Sequence, residues 1–315
     1  MENKLIVSYA PHVRTERSTR QLMLDVIIAL LPAMLVGIWA FGIRALIMLL
    51  VCSVTAVLAE HLFCLISKKE TTVTDLSAIV TGLLLAMNMP AAAPFWMGVV
   101  GSVFAIIIAK CFFGGLGHNF VNPALAARAF LMACWPVAMT TWIQPLAGDI
   151  FNVSDFALSS ATPLNPEVAE NAYNYMDLFL GNVPGCIGEI SAFALLIGFI
   201  YLLVCKVITW HIPVIYIGTV FVFSYIFGLD GLEQILSGGL FLGAIFMATD
   251  YVTSPMTIKG HIVYAFMLGL VTIVIRHFGT LPEGVSYSIL IMNVVTPLID
   301  KCTKNRKYGG AKKHA

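Results

Sequence analysis

The sequence predicts an all-α polytopic membrane protein with ten transmembrane segments in two inverted five-segment repeats, the third and eighth helices being broken. Three observations lead there. First, 59% of the 315 residues are hydrophobic and only 11% are charged, less than half the roughly 25% charge of a soluble domain. Second, the apolar residues fall into runs long enough to cross about 30 Å of hydrocarbon, which takes about 20 helical residues. Third, Lys and Arg cluster at alternate ends of those runs, as the positive-inside rule requires. The net charge of +1 excludes the basic face that a nucleic-acid binder needs.

Full spans are expected at 22–41, 43–66, 94–113, 124–141, 188–209, 211–228, 261–278 and 284–300. Two runs are too short to cross: 76–89, stopped by Pro90, and 235–249, stopped at Asp250 and Pro255. Counting both as broken helices gives ten. With the N-terminus inside, the inner face collects Lys68, Lys69, Lys110, Lys206, Lys259 and the basic tail from Lys301 to Lys313. The outer face receives Arg44 and Arg276. No Lys or Arg occurs from Ala129 through Cys205, and the long 142–187 stretch carries Asp149, Asp155, Glu167, Glu170 and Asp177. That loop is expected outside and both termini inside, with Trp39, Trp96, Trp142 and Trp210 as interfacial anchors. The chain then divides into a cytoplasmic arm (1–21), a first repeat (22–141), the outer loop (142–187), a second repeat (188–300) and a basic tail (301–315).

The repeat itself leaves a trace. Ser77–Asn88 aligns with Ser237–Ala248, and Phe113-Gly-Gly-Leu-Gly with Phe278-Gly-Thr-Leu-Pro. Each short run is third in a set of five. Five is odd, so the second copy enters the membrane upside down, as in transporters whose sites form where broken helices meet. Chance likeness between apolar runs is the competing reading.

Polar residues at such breaks are costly and point to a ligand or ion path. Asn88 stands at the first break and Thr249, Asp250, Thr253 and Ser254 at the second. The turn Gly114-Gly115-Leu-Gly-His-Asn119-Phe-Val-Asn122-Pro123 is a third polar cluster. Its glycines allow close approach to a flat ligand, its amides donate and accept, and Pro123 suits the first turn of a helix. An ordinary interhelical turn is the plain alternative. Asp250 reads as an ion-path group or a helix cap; Asp25 and Arg128, inside spans, read as relay groups or a structural pair. The seven cysteines show no C-x-x-C spacing and read as small hydrophobes, so no metal is expected on this chain.

The outer loop holds Asp155-Phe-Ala-Leu-Ser159-Ser160-Ala161-Thr162-Pro163-Leu164. Pro163 biases Thr162 toward an extended backbone. The S-S-A-T-P-L run resembles the flavin-attachment motif of membrane flavoproteins, in which the threonine is esterified to the phosphate of FMN. Ser8-Tyr-Ala-Pro-His12 with Ser18-Thr19, the Phe113 to Pro123 turn, and Phe246-Met-Ala-Thr-Asp250 together resemble the D subunit of the Rnf electron-transport complex. That subunit is related to the B subunit of the sodium-translocating NADH:quinone reductase.

The resemblance implies covalent FMN on Thr162, with Ser159, Ser160, Ala161 and Asp155 as the motif read by an outer-face flavin-attaching transferase. It implies a non-covalent riboflavin inside the membrane part, which we would seek at Gly114, Gly115, Asn119, Asn122, Asn88 and Thr249. Asp250, Asp25 and Arg128 are the candidates for an ion path. The implied function is a redox subunit of an ion-translocating ferredoxin:NAD oxidoreductase in a bacterial inner membrane, with the other Rnf subunits as partners. A solute channel or transporter of inverted-repeat fold with unmodified Thr162 is the alternative, and a scaffold subunit a third.

Overall fold

A computed structural model describes residues 17–68, 71–145, 159–160, 164, 174–279 and 284–304. Long apolar helices come first. Helix α1 (Thr19–Phe41) starts on a capping box: the Ser18 hydroxyl accepts from Gln21 N–H, and the Gln21 side chain takes the Ser18 N–H. Gly42 turns the chain into α2 (Ile43–Ile66). Helix α3 (Ser77–Met87) is short and almost wholly buried. Helix α4 (Phe95–Cys111) changes to π geometry from Phe104 onward. Helix α5 (Pro123–Cys134) begins with proline, and the Asn122 side chain accepts from the N–H groups of Ala124 and Leu125. A four-residue turn, α6 (Pro136–Met139), closes this half.

In the second part of the chain the helices are α7 (Tyr175–Leu180), α8 (Ala192–Val204), α9 (His211–Ile226) and α10 (Gly231–Leu236). Next comes α11 (Leu240–Leu242), which continues as a π segment over Gly243–Met247. Helices α12 (Ile258–Phe278) and α13 (Val285–Thr303) end the described chain. Among the described residues four helices, α1, α2, α12 and α13, are long and apolar enough to cross a membrane; α3, α4, α5, α8 and α9 are shorter apolar helices.

The packing pairs α1 with α8, α2 with α3 and α4, α9 with α12, α12 with α13, and α5 with α13. Close crossings use small residues, as helix contacts in lipid require. Gly198 of α8 lies so near the Ala29 carbonyl of α1 that a Cβ would collide with it. Leu35, Leu50, Leu58 and Leu62 stay exposed on the outside of the bundle, where apolar groups meet lipid at no cost.

Four departures from the sequence reading have physical causes. The run 188–209 is not one helix: Val183–Ser191 is mostly buried non-helical chain, and α8 begins only at Ala192. Buried backbone needs partners, and it finds them at the broken end of α3, where Ile187 N–H donates to Met89 O and Gly188 N–H to Met87 O. The run 235–249 is interrupted at Ser237-Gly-Gly, with Gly238 at φ +67°, so two helical pieces stand where one was expected. Trp135-Pro136 breaks the expected 124–141 span. A small antiparallel ribbon joins β1 (Trp142–Ile143) to β2 (Ser159–Ser160), the one β element among the described residues.

Candidate functional site

The residues of the Gly114 to Pro123 turn and of the second break converge on one cavity of about 110 Å³. Its polar wall includes Asn119, Asn122, Thr249 and Asp250; its apolar wall includes Leu84, Leu202, Ile245 and Phe246. The helix ends explain this geometry. Asn122 caps α5 and also reaches across to Met247 O at 3.5 Å, tying the start of α5 to the end of the α11 π segment. Thr249 donates to Ile245 O at 2.6 Å, and Asp250 accepts from Val252 N–H and the Thr253 hydroxyl. Asp250 therefore closes the turn after the break and lines the cavity at the same time. Gly114 and Gly115 take positive φ values in a tight turn but do not line the cavity.

Lys110, counted above among the inner-face residues, is buried and lines this wall. Its ammonium donates to both Glu60 oxygens at 3.0 Å and to the Ser77 hydroxyl at 2.6 Å, while Thr72 donates to Glu60 at 2.6 Å. The side chains of Lys110 and Glu60 are each 2% exposed. The two residues are 50 apart in sequence, so the pair was not visible there; the only signal was a carboxylate inside the apolar run of α2.

A second buried ion pair lies between the ends of the short helices. Arg128 of α5 donates to Glu189 Oε1 at 2.7 Å and to Asn88 Oδ1 at 2.6 Å. Asn88 also holds Leu84 O at 2.7 Å and sits 3.6 Å from Met247 Sδ. Glu189 itself rests against Gly239, at the start of α11. One guanidinium and one carboxylate thus join α3, α5, the buried 183–191 segment and α11. Asn88 belongs to this cluster and to a smaller pocket with Arg128 and Glu189, not to the main cavity. Asp25 is not near Arg128; it pairs with Arg17 at 3.4 Å and accepts from Tyr201 at 3.2 Å. Glu189 was missed by sequence reading because it opens an apolar run that resembles a span.

Asp155, Ala161 and Thr162 lie outside the described residues, and of Ser159 and Ser160 only the backbone is described. Both sides of the motif are nonetheless fixed. Ser160 pairs with Trp142 and Ser159 with Ile143 in the ribbon, and Leu164 packs on Gly238 with its Cδ1 at 2.7 Å from where a Cβ would stand. Among the described residues no group of three or more His, Cys, Asp or Glu is poised for a metal.

The model of the NQR2, RnfD, RnfE family matches residues 6–309. The chain is 51% identical over 314 residues to the D subunit of the Na(+)-translocating ferredoxin:NAD(+) oxidoreductase complex of Acetobacterium woodii, covering 99% of this chain and 97% of that protein. It is 43% identical over 326 residues to the D subunit of the proton-translocating ferredoxin:NAD(+) oxidoreductase complex of Clostridium ljungdahlii, covering 98% and 97%. It is 34% identical over 348 residues to the D subunit of an ion-translocating oxidoreductase complex of Escherichia coli, covering 97% and 99%. With near-complete coverage on both sides, this chain belongs to the NQR2, RnfD, RnfE family.

Proposed function

We propose that this chain is a membrane redox subunit that relays electrons through flavins within an ion-translocating ferredoxin:NAD oxidoreductase complex. The observation that carries the reading is the family match along the whole chain, together with an S-S-A-T-P-L run held at both ends, by β1 on one side and Gly238 on the other. Thr162, two residues from each anchor, is the proposed point of a phosphoester to FMN, attached by a transferase on the outer face. Flavin accepts electrons singly or in pairs; the protein sets its position and surroundings.

The main cavity is the proposed seat of a non-covalent riboflavin. The isoalloxazine is flat and uncharged when oxidised; Leu84, Ile245 and Phe246 would hold it by apolar contact, and Asn119 and Thr249 would supply polar partners. Of the expected residues, Asn88, in the neighbouring Arg128 cluster, and Gly114 and Gly115, in the turn, do not line it. Asp250, lining the cavity beside the second break, is the proposed ion-path group.

Ten crossings in two inverted repeats are part of the proposal. Two related five-helix sets would repeat their contacts, and α2 on α4 matches α9 on α12, α4 on α5 matches α12 on α13, with α1 on α8 and α5 on α13 as cross pairs. The Lys and Arg distribution supports both termini in the cytoplasm and the 142–187 loop outside a bacterial inner membrane. The relatives' names carry different ions, so the proposal is written for ion transport without choosing one.

The test is in-gel flavin fluorescence after denaturation, which only a covalent flavin survives. Wild-type bands should fluoresce and Thr162→Ala bands should not, with the mutant still inserted in the membrane. Equal fluorescence in both would overturn the attachment site. A solute transporter with unmodified Thr162 would leave both bands dark.

A further inference from the structure

The polar walls of the main cavity come from different parts of the chain: Asn122 starts α5, and Asp250 closes the turn after the second break. The direct tie between them is weak. Asn122 Nδ2 reaches Met247 O at 3.5 Å, beyond the usual range of about 2.7–3.2 Å. Helix α13 supplies shorter ties to both walls. Asn293 and Thr296, three residues apart and so on one face of that helix, do not line the cavity, yet each reaches one wall.

Asn293 is 2% exposed, and one orientation of its amide satisfies its neighbours. Oδ1 accepts the Asn122 N–H at 3.1 Å, while Nδ2 donates to Tyr264 Oη at 2.9 Å and to Ile289 O at 3.2 Å. Turned over, the oxygen would face the Ile289 carbonyl and the nitrogen the Asn122 N–H. Thr296 is 5% exposed; its hydroxyl donates to Thr253 O at 2.9 Å and shares that proton with Met292 O of its own helix. Thr253 in turn donates to Asp250 Oδ2 at 3.2 Å. The helix carrying both groups is itself held. The Thr272 and Ser288 hydroxyls, 2.8 Å apart, join α12 to α13, and Tyr216 of α9 lies 2.7 Å from the first and 3.2 Å from the second. Polar groups at membrane depth are costly and are kept where they have a partner and a role; an apolar residue would fill the same space without that cost.

We propose that Asn293 and Thr296 are positioning residues: together they set the spacing between the Asn122 and Asp250 walls, and with it the grip of the cavity on its occupant. The inference rests on the reading of the cavity as the seat of a riboflavin and adds to it two residues of α13 that act through the walls. Tyr264 of α12, 0% exposed, backs Asn293 by fixing which way its amide faces. All of these bonds are non-covalent, and no electron or proton is transferred through them.

The experiment compares the assembled complex of wild type, Asn293→Leu, Thr296→Val and Thr296→Ser. It reads the rate at which riboflavin is released on dilution and the midpoint potential of the riboflavin that stays bound. Leucine and valine keep roughly the volume and remove the polar group. Each should speed release by about tenfold, the size expected when a buried partner is left unsatisfied, and each should shift the potential. Thr296→Ser keeps the hydroxyl and should stay near wild type. Residues that only stabilise α13 would lower the yield of complex and leave release and potential unchanged in what assembles; that result overturns the proposal. If Asn293→Leu does not assemble, Thr296→Val against Thr296→Ser decides alone by the same readings. A wild-type complex that yields no riboflavin on denaturation marks failure of the underlying reading, and hydrogen exchange then decides the positioning. Thr296→Val should speed exchange at 121–126 as well as at 250–254, because the walls are set together, and an effect confined to 250–254 overturns the proposal.

Discussion

Substituting Lys110 by methionine should be among the most damaging single changes in the first half of the molecule. Methionine keeps the length of the side chain and removes the charge. It deletes three hydrogen bonds, two to Glu60 at 3.0 Å and one to Ser77 at 2.6 Å. What remains is a carboxylate 1% exposed with Thr72 as its one remaining side-chain partner among the described residues. Breaking a buried pair on one side costs about 3–5 kcal/mol, chiefly because the surviving charge is stranded. Glu60→Leu strands the ammonium in turn, with Ser77 as its acceptor, and should cost a comparable amount, about 3–5 kcal/mol. Lys110→Met combined with Glu60→Leu leaves no charge to strand and should return to within about 1 kcal/mol of wild type, as apolar replacement of buried pairs does. The assay is equilibrium unfolding of the purified subunit in mixed micelles for the full double-mutant cycle. Single variants each within about 1 kcal/mol of wild type, the value of an exposed pair, would refute the reasoning. So would a double variant as unstable as the sum of the two singles.

Three further outcomes follow from the same geometry. Asp250→Asn should impair ferredoxin-dependent NAD reduction or ion uptake while covalent flavin and stability stay as in wild type, because Asn caps nearly as well as Asp; wild-type turnover and uptake together would reduce Asp250 to a cap. A cysteine placed at Asn171 should react with an impermeant thiol reagent in intact cells, and labelling only after permeabilisation would reverse the orientation. Gly198→Leu should prevent stable packing of α8 on α1, since a Cβ already collides with Ala29 O; normal expression and melting of that variant would show that the crossing yields.

Much of the helical plan was legible because apolar runs in lipid are governed by composition. The Asn122-Pro123 start of α5 was readable residue by residue, since a cap and a fixed φ act locally. The hidden features depend on contacts between distant parts of the chain. Glu60 with Lys110 and Arg128 with Glu189 join residues 50 and 61 apart, and no periodicity marks them. The 183–191 segment looked like the start of a span because composition does not distinguish a buried loop, satisfied by the end of α3, from a helix. Ser237-Gly-Gly did carry a readable signal: paired glycines mark a turn, and the interruption before α11 falls on them. The S-S-A-T-P-L run around Thr162 stood out through its resemblance to a flavin-attachment motif, while the pairing of Ser159 and Ser160 with β1 and the packing of Leu164 on Gly238 required the fold.

The most direct test of flavin attachment is the mass of the purified chain and of the peptide that contains Thr162, measured after denaturation and removal of free flavin. The expected result is a chain heavier by one esterified FMN, with the added mass localised to Thr162 on fragmentation. A chain of unmodified mass from an assembled, ferredoxin-active complex would contradict it.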